Sequence, residues 1–295
     1  MATDTTQNKP LVSVVMSFHN AQDTLLRSIR SLLWQTYPNW ELILLDDGST
    51  DGSAEASKLI EDPRIRLCGD SVCRGLPTRL NQGVSLAKGQ YIARMDADDV
   101  AFPERFARQV AYLQTHAEVD LLSTSALLVN ENDRPLGLLA AGLSHDDICS
   151  RPWHGFPMPH PTWMGRAEWF RQNPYDELAR KAQDQALLLQ AYLNSRFAGL
   201  PDVLLGYRYG SVSLKKSIEG RWSYIRTVCS SGKNTKDFPL ASKTVLYHGA
   251  AALRDALGLM FGLGSTILDA RVKKAGVAIL GEWCDLQNRL QGGHE

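Results

Sequence analysis

The sequence lacks the features that would mark a disulfide-rich, metal-binding or nucleic-acid-binding protein. Its five cysteines include no CxxC pair and no metal-ligand spacing, and an odd number suits a disulfide framework poorly. A reducing cytosol is therefore the expected compartment. The 295 residues contain 32 Lys and Arg and 32 Asp and Glu, so the chain has no broad positive field for binding nucleic acid.

The sequence also shows no targeting or membrane-spanning segment. The first ten residues, MATDTTQNKP, are polar and contain no apolar core of a secretory signal. The most apolar later segment, 256–268, lies between Asp255 and Asp269. It is shorter than the roughly 20 apolar residues that a membrane-spanning helix needs. With 44% hydrophobic residues, the chain can form one large α/β core and an appendage.

Strand and helix patterns alternate through the first hundred residues. The apolar runs LVSVVMSF, ELILLDD, RIRLC and QYIARM are typical of buried strands. Helical spacing is found in 21–35, in STDGSAEASKLIE and in LPTRLNQGVSLAKG, where Gly89 is the expected stop. This alternation predicts an α/β fold with a mostly parallel sheet and right-handed crossovers.

Polar residues follow three of the predicted strands, at the edge where such sheets bind ligands. The residues are Ser17, His19, Asn20, Asp46, Asp47, Asp96, Asp98 and Asp99. Clustered carboxylates repel one another unless a cation or hydrogen-bond donor is present, and Mg²⁺ or Mn²⁺ with a diphosphate would fit. Two simpler interpretations stay open. The acids after the fourth strand could cap a helix starting near Pro103, and DDGSTDGS could be a turn in which Ser49 or Asp51 caps the next helix.

Several segments together resemble the inverting nucleotide-sugar glycosyltransferases of the GT-A fold. They are VSVVMSFHN, SLLWQTYPNWELILLDDGSTDGS, LNQGVSLAKGQYIARMDADD, HPTWMGRAEWF and the segment from YDELARKAQDQ to LLGYR. More narrowly, they resemble the large bacterial family 2, which builds surface polysaccharides. The resemblance implies a Rossmann-like GT-A domain over 11–215, after a flexible 1–10, with a sheet flanked by helices.

The resemblance also implies roles for the acids of the site. Asp47 matches the acid that recognises the nucleotide base, and Asp46 lies beside it. Asp96 and Asp98 form the DxD pair, and Asp98 or Asp99 should bind the metal, Mn²⁺ or Mg²⁺, that bridges the diphosphate.

Asp184, in KAQDQALL, matches the general base that deprotonates the acceptor hydroxyl. Two positions differ from the family: Gln183 replaces a Glu, and His19 replaces a larger aromatic that stacks on the base. From the residues alone, Asp184 is at least as well explained as a solvated position on the polar face of its helix.

The segment RPWHGFPMPHPTWMGRAEWF matches the acceptor side of the family. Aromatic rings cover the faces of sugars, so we expect His160 and Trp163 to contact the acceptor. The alternative is that Trp163 and Trp169 are buried under the sheet.

Residues 216–295 are predicted to form a helical C-terminal extension. The QxxRW motif of processive synthases is incomplete, because this chain has SIEGRW around Trp222, so processive synthesis is disfavoured. Basic residues of the extension could meet anionic lipid headgroups; they are Lys215, Lys216, Arg221, Arg226, Lys233 and Lys236. A packed helical cap or a homodimer surface is an equally good interpretation.

The sequence therefore predicts a metal-dependent inverting glycosyltransferase. It would move a sugar from a nucleotide-sugar donor, expected to be UDP-linked, to a saccharide or lipid-linked saccharide on the cytosolic side of the membrane. A nucleotidyltransferase is disfavoured because SFHNAQDT lacks a glycine- and basic-rich triphosphate loop. A non-catalytic nucleotide-sugar-binding protein is the third hypothesis.

Overall fold

The computed structural model describes residues 9–179, 181–210, 214–231, 238–260 and 272–292. Within them the chain forms one mixed sheet of nine strands, in the order β3-β2-β1-β4-β8-β6-β9-β5, with β7 paired to β6. The strands are β1 (Val12–Phe18), β2 (Trp40–Asp46), β3 (Ile65–Gly69), β4 (Tyr91–Arg94), β5 (Val100–Ala101), β6 (Leu121–Val129), β7 (Pro135–Leu139), β8 (Met164–Arg166) and β9 (Phe197–Arg208).

Helices flank this sheet and continue beyond it. They are α1 (Leu25–Leu33), α2 (Ser53–Ser57), α3 (Leu76–Leu86), α4 (Arg105–Thr115), α5 (His145–Cys149), α6 (Ala167–Gln172), α7 (Gln183–Ala191), α8 (Leu214–Ser231), α9 (Phe238–Met260) and α10 (Val277–Gly292). None of the described helices combines the length and the apolar character that a bilayer-spanning helix requires.

The first half of the sheet confirms the predicted parallel arrangement. β1 pairs in parallel with β2 and β4, and β2 pairs in parallel with β3. The other half departs from it, because β8 runs antiparallel to β4 and β6, while β9 runs parallel to β6. β1, β2 and β4 are buried on both faces, whereas β3, at the edge of the sheet, is only partly buried. The alternating strand and helix pattern covers the parallel half only.

Two sequence-based predictions, the buried face of α1 and the role of Gly89, can be compared directly with the structure. In α1, Leu25, Ile29 and Leu32 are fully buried, as their helical spacing predicts. The prediction that Gly89 ends α3 is wrong, because α3 already ends at Leu86. A Cβ at Gly89 would lie 2.6 Å from the carbonyl oxygen of Leu11, so glycine is needed there for the close passage beside β1.

The C-terminal helices return to the sheet, as a helical extension. In α10, Trp283, Leu286 and Leu290 are buried in one apolar cluster with residues of β5, β6 and the chain after β5. The indole N–H of Trp283 donates to the carbonyl oxygen of Asp133 at 3.0 Å. α8 packs on α7 and α9. The extension thus contacts the sheet domain at two places.

Not every basic residue of the extension is available for the predicted headgroup contact. Arg221 forms a buried ion pair with Asp255 at 2.6 Å, so its prediction as a free headgroup contact is wrong. Arg226 is exposed. The side chains of Lys215 and Lys216 and all of Lys233 and Lys236 lie outside the described residues.

Candidate active site

A cavity of about 390 Å³ opens at the carboxyl ends of β1, β2 and β4. Six of the residues predicted from the sequence line it: Ser17, His19, Asn20, Asp47, Asp96 and Asp98. They meet there because β1, β2 and β4 are parallel neighbours, so that the loops that follow them emerge on one edge of the sheet.

Three carboxylates crowd together on the turn after β4. Asp96, Asp98 and Asp99 each offer an oxygen within 4.8 Å of the others. Burial, then the charge of Asp96, raises the pKa of Asp98 to about 6, and the same causes raise the pKa of Asp99 well above its ordinary value. One oxygen of Asp99, Oδ2, is buried without a hydrogen-bond partner. Hard oxygen ligands with an unmatched negative charge suit a divalent cation.

The simpler helix-cap interpretation of these acids is not supported. α4 begins at Arg105, its N-cap residue is Glu104, and no side chain forms a cap hydrogen bond there. Asp99 instead accepts a hydrogen bond from the backbone N–H of Arg208, 2.9 Å from its Oδ1. The triad is therefore held beside β9 and does not cap α4.

Arg94 is the first important residue that the sequence analysis missed. Its side chain is 4% exposed and its guanidinium forms an ion pair with Asp96. Burial alone would lower the pKa of Arg94, but the charge of Asp96 offsets this and the pKa lies above its ordinary value. Two of its nitrogens, Nε and Nη1, are buried without partners. The available signal was a cation inside the otherwise apolar run YIARM.

Asp184 lies in the first turn of α7. The charge of Arg94 acts on Asp184 as it does on Asp98 and Asp99. Burial raises the pKa of Asp184, whereas a hydrogen bond from Gln185 and the charge of Arg94 lower it. The amide of Gln185 donates to Asp184 Oδ2 at 3.2 Å and accepts from the backbone N–H of Phe156 at 2.7 Å. Asp184 is thus a half-buried carboxylate with a raised pKa, and it is not a fully solvated residue of a polar helix face.

The adjacent acids at the end of β2 have different surroundings. Asp47 Oδ1 accepts from the backbone N–H of Arg74 at 2.7 Å and from Arg79 Nε at 3.0 Å, and Asp47 lines the cavity. Asp46 does not line the cavity; its Oδ1 accepts from the backbone N–H of Ser49 at 2.9 Å. The nucleotide-binding prediction for Asp46 therefore gives way to a turn role, because its carboxylate points into the DDGS turn.

The loop after β1 is held beside Asp47. His19 Nδ1 lies 3.0 Å from the carbonyl oxygen of Asp47, and the His19 ring is exposed. Asn20 has a positive φ of 51°, a conformation that Asn tolerates, and its Oδ1 accepts from the backbone N–H of Thr50 at 2.8 Å. In the same turn Asp51 accepts from the backbone N–H of Ser53 at 2.9 Å, although the N-cap residue of α2 is Gly52 and not Ser49 or Asp51.

The predicted acceptor contacts are buried. Trp163 is 0% exposed, and its indole N–H donates to the carbonyl oxygen of Met158 at 3.2 Å. His160 is 8% exposed and its Nε2 is 2.8 Å from the hydroxyl of Tyr175. Trp169 is 5% exposed. The acceptor prediction for Trp163 and His160 is therefore corrected to a core role, because neither ring presents a face to the cavity.

Arg208 is the second residue that the sequence analysis missed. It lines the cavity, and its Nε donates to the carbonyl oxygen of Asp98 at 3.2 Å. Its Nη2 donates to Asp133 Oδ1 at 2.6 Å, and Asp133 is also the residue that Trp283 of α10 contacts. The guanidinium thus ties the acidic turn to β9 and to the C-terminal helix. No spacing in the sequence indicates this partnership.

Two proteins that are similar to this chain in sequence are named as glycosyltransferases. EpsE of Bacillus subtilis, named as a glycosyltransferase, is 38% identical over 165 residues, which cover 55% of this chain and 58% of EpsE. The Escherichia coli protein named UDP-Glc:alpha-D-GlcNAc-diphosphoundecaprenol beta-1,3-glucosyltransferase WfaP is 35% identical over 105 residues, 36% of this chain and 42% of WfaP. The aligned region thus spans about half the length of these relatives.

Two solved structures have the same fold. Staphylococcus aureus TarS 1–349 in complex with UDP aligns with a TM-score of 0.59 and 19% identity over 95% of this chain and 79% of TarS. The mannosyltransferase PcManGT of Pyrobaculum calidifontis, in complex with GDP-Man and Mn²⁺, aligns with a TM-score of 0.61 and 16% identity over 98% of this chain and 89% of PcManGT. The fold is therefore GT-A.

The family assignment comes from the sequence. The profile of the family described as "Glycosyl transferase family 2" matches residues 13–173, which include all of the cavity-lining residues predicted at the ends of β1, β2 and β4. That match covers more than half of the chain. The chain belongs to glycosyl transferase family 2.

Proposed function

We propose that this protein is a metal-dependent, inverting and non-processive glycosyltransferase acting in glycan synthesis. The observation that carries the proposal is the arrangement around Arg94. Arg94 is paired with Asp96, whose carboxylate lies close to those of Asp98 and Asp99, and the charge of Arg94 also lowers the pKa of Asp184. A site that stabilises the charge of the leaving diphosphate and a general base are the two parts that a single displacement requires.

Asp98 and Asp99 would hold the cation, Mn²⁺ or Mg²⁺. The fit rests on the closely spaced carboxylates and on the unpartnered, buried Oδ2 of Asp99. When bound, the cation supplies positive charge that stabilises the diphosphate as it leaves. Asp96 is paired with Arg94, so its role in this proposal is to keep the turn in place and to face the nucleotide.

Asp184 would act as the general base. It removes the proton of the acceptor hydroxyl while that oxygen bonds to the anomeric carbon and the bond from this carbon to the diphosphate oxygen breaks. The raised pKa of Asp184 suits a base better than an ordinary aspartate would, because proton affinity increases with pKa. One displacement inverts the anomeric centre, and no covalent intermediate on the enzyme is needed.

Asp47, His19, Asn20 and Ser17 would bind the nucleoside. Asp47 Oδ2 accepts from the backbone N–H of Gly75 at 3.0 Å and from the weak donor Cys73 Sγ at 3.6 Å, and a base N–H could replace the weaker of these contacts. The exposed ring of His19 can stack on the base. We propose a UDP-linked donor, which is supported by the UDP in the TarS complex, although the same fold holds GDP-Man in PcManGT.

The acceptor would be a saccharide or a lipid-linked saccharide, on the cytosolic side of the membrane. WfaP is named for a diphosphoundecaprenol-linked acceptor, which supports the lipid-linked alternative. A non-processive enzyme fits the missing Gln of the QxxRW motif and the position of Trp222, which lies on α8 and is 59% exposed.

A ligand screen followed by a transfer assay tests this function. Nucleoside diphosphates and nucleotide sugars, each with and without Mn²⁺, should raise the melting temperature only where the native chain binds them. The best donor is then incubated with saccharide acceptors, and release of the nucleoside diphosphate is measured. A shift without any transfer or hydrolysis would favour a non-catalytic binding protein. Absence of a shift with every nucleotide would contradict the proposal.

A further inference from the structure

Helix α9 is packed with its polar stripe facing inward. Thr244, His248, Ala251 and Asp255 follow helical spacing and are 0%, 7%, 6% and 2% exposed. Three of these four side chains are polar. Asp255 pairs with Arg221 of α8, and the His248 ring lies 5.2 Å from that of Tyr224. The side of α9 that faces the protein is thus the side that ordinarily faces water.

The opposite side of α9 is apolar and exposed. Leu246, Leu253 and Leu257 are 73%, 62% and 44% exposed, and Ala250 lies between them. The spacing of 4, 3 and 4 residues places all four on one stripe. Soluble helices usually bury such a stripe, and leaving it in water is unfavourable. Since Asp255 and Arg221 hold the polar stripe inward, α9 cannot turn the leucines toward the domain without breaking a buried ion pair.

Helix α8 adds a second exposed face with an aromatic residue. Ile218, Trp222 and Arg226 lie four residues apart on one side, and the first two are 41% and 59% exposed. The other side of α8 buries Tyr224 and Val228 in the domain core. Leucines, tryptophan and arginine exposed together are the residue types of helices that lie in a membrane interface.

The sequence of the segment that forms α8 and α9 has an excess of positive charge. Residues 214–260 contain eight Lys and Arg and three Asp and Glu, a formal charge of +5 in a chain whose net charge is zero. Within the described residues the acids of this segment are engaged. Asp255 is buried between Arg221 and Arg254, and Glu219 pairs with Lys181. Arg226 and Arg254 remain at the surface beside the apolar stripes.

We propose that the outer faces of α8 and α9 dock on an anionic lipid bilayer, with Leu246, Leu253, Leu257 and Trp222 entering the interface. The arginines would meet the headgroups, where each basic residue near an anionic surface strengthens attachment. A second copy of the chain explains the leucines less well. Two-fold pairing of these faces would bring cation against cation, and the stripe is only three turns long. The proposal goes beyond the transfer reaction and is tested without a sugar.

Vesicle flotation with the full chain tests the proposal. Vesicles of equal parts phosphatidylcholine and phosphatidylglycerol should bind the protein, and pure phosphatidylcholine should bind it much less. Added salt should weaken binding, because ions screen charge attraction over about 10 Å at 0.1 M. The double variant Leu246→Glu/Leu253→Glu should lose about tenfold or more in vesicle affinity.

The matched control is Leu59→Glu/Leu193→Glu. These leucines are 78% and 72% exposed and lie outside α8 and α9, so the control makes the same chemical change at equal exposure. It should bind like the wild type. Failure of the wild type to float with anionic vesicles, or equal binding by both double variants, would overturn the proposal. A wild-type dimer that Leu246→Glu/Leu253→Glu dissociates, without vesicle binding, would assign the face to a second copy.

Discussion

The carboxyl ends of β1, β2 and β4 and the outer face of α9 are unusual in opposite ways. The first buries charged groups, and the second exposes apolar ones. At the sheet edge, Asp99 and Arg94 carry charged groups out of water and leave polar atoms without partners. On α9, Leu246 and Leu253 hold apolar side chains in water while a carboxylate is buried behind them. Both arrangements are energetically unfavourable, and no contact within the described part of the chain fully offsets them.

Buried charge and exposed apolar surface indicate different kinds of ligand. An excess of buried negative charge is relieved by a cation and by hydrogen-bond donors, whereas exposed leucine is relieved by an apolar phase. The two regions are also connected. α8 contacts α7, the helix that carries Asp184. The Ser223 hydroxyl of α8 also donates to the carbonyl oxygen of Lys181, just before α7, at 2.6 Å. The C-terminal extension therefore supports the proposed base as well as forming an outer surface.

The largest expected effect tests whether the sheet edge depends on buried charge. Arg94→Met removes the cation among the acids, so the free energy of unfolding should fall by about 3–5 kcal/mol, because an ionised carboxylate is left without its partner. The control is Arg108→Met, whose side chain is 50% exposed beside Glu104 and Asp202 and should cost about 1 kcal/mol or less. Urea unfolding measures the free energy of unfolding of both variants. Equal decreases would mean that the burial of Arg94 does not increase its contribution to stability.

The next effect concerns catalysis by Asp184. Asp184→Asn keeps the shape of the side chain but removes the basic carboxylate, so turnover should fall by about 10²-fold or more. Affinity for the nucleotide sugar should stay within a few-fold, because the base acts in the transition state. Asp146→Asn, an exposed acid on α5, is the control and should retain full turnover. If Asp184→Asn keeps most of its transfer rate, the base is another residue.

Asp98→Asn should show the opposite pattern. Removing one oxygen ligand should weaken Mn²⁺-dependent donor binding by about tenfold or more, and turnover should fall with it. Calorimetry on the best donor, with Asp184→Asn measured in parallel, separates a metal ligand from a base. Unchanged Mn²⁺-dependent binding in Asp98→Asn would remove this residue from the metal site.

The smallest effect is a shift in the pH profile. A base works only when ionised, so turnover should rise as pH increases through the pKa of Asp184, and burial puts this acid limb above the ordinary range of aspartate. Gln185→Met removes a hydrogen bond that lowers this pKa, so the limb should move to still higher pH. An acid limb that does not move in Gln185→Met would mean that another group controls it.

Much of the parallel half could be predicted from sequence, because its information is local. The apolar runs and helical spacings define β1 to β4 and α1 to α3, and parallel pairing then brings Asp47, Asp96 and Asp98 to one edge. Trp163 and His160 were misjudged for a related reason. Aromatic residues serve cores and sugar sites equally well, and only the burial of the segment that precedes β8 distinguishes the two.

The sequence by itself determined the alternation of strands and helices and the acids at the strand ends, because periodicity and turn chemistry act between neighbouring residues. Tertiary structure alone decided that Arg208 donates its backbone N–H to Asp99, and that Trp283 reaches the Asp133 that holds Arg208. It also decided which side of α9 faces outward. The sequence of that helix alone would favour burying the leucine stripe, but the buried pair of Arg221 and Asp255 holds the opposite, polar stripe against the protein.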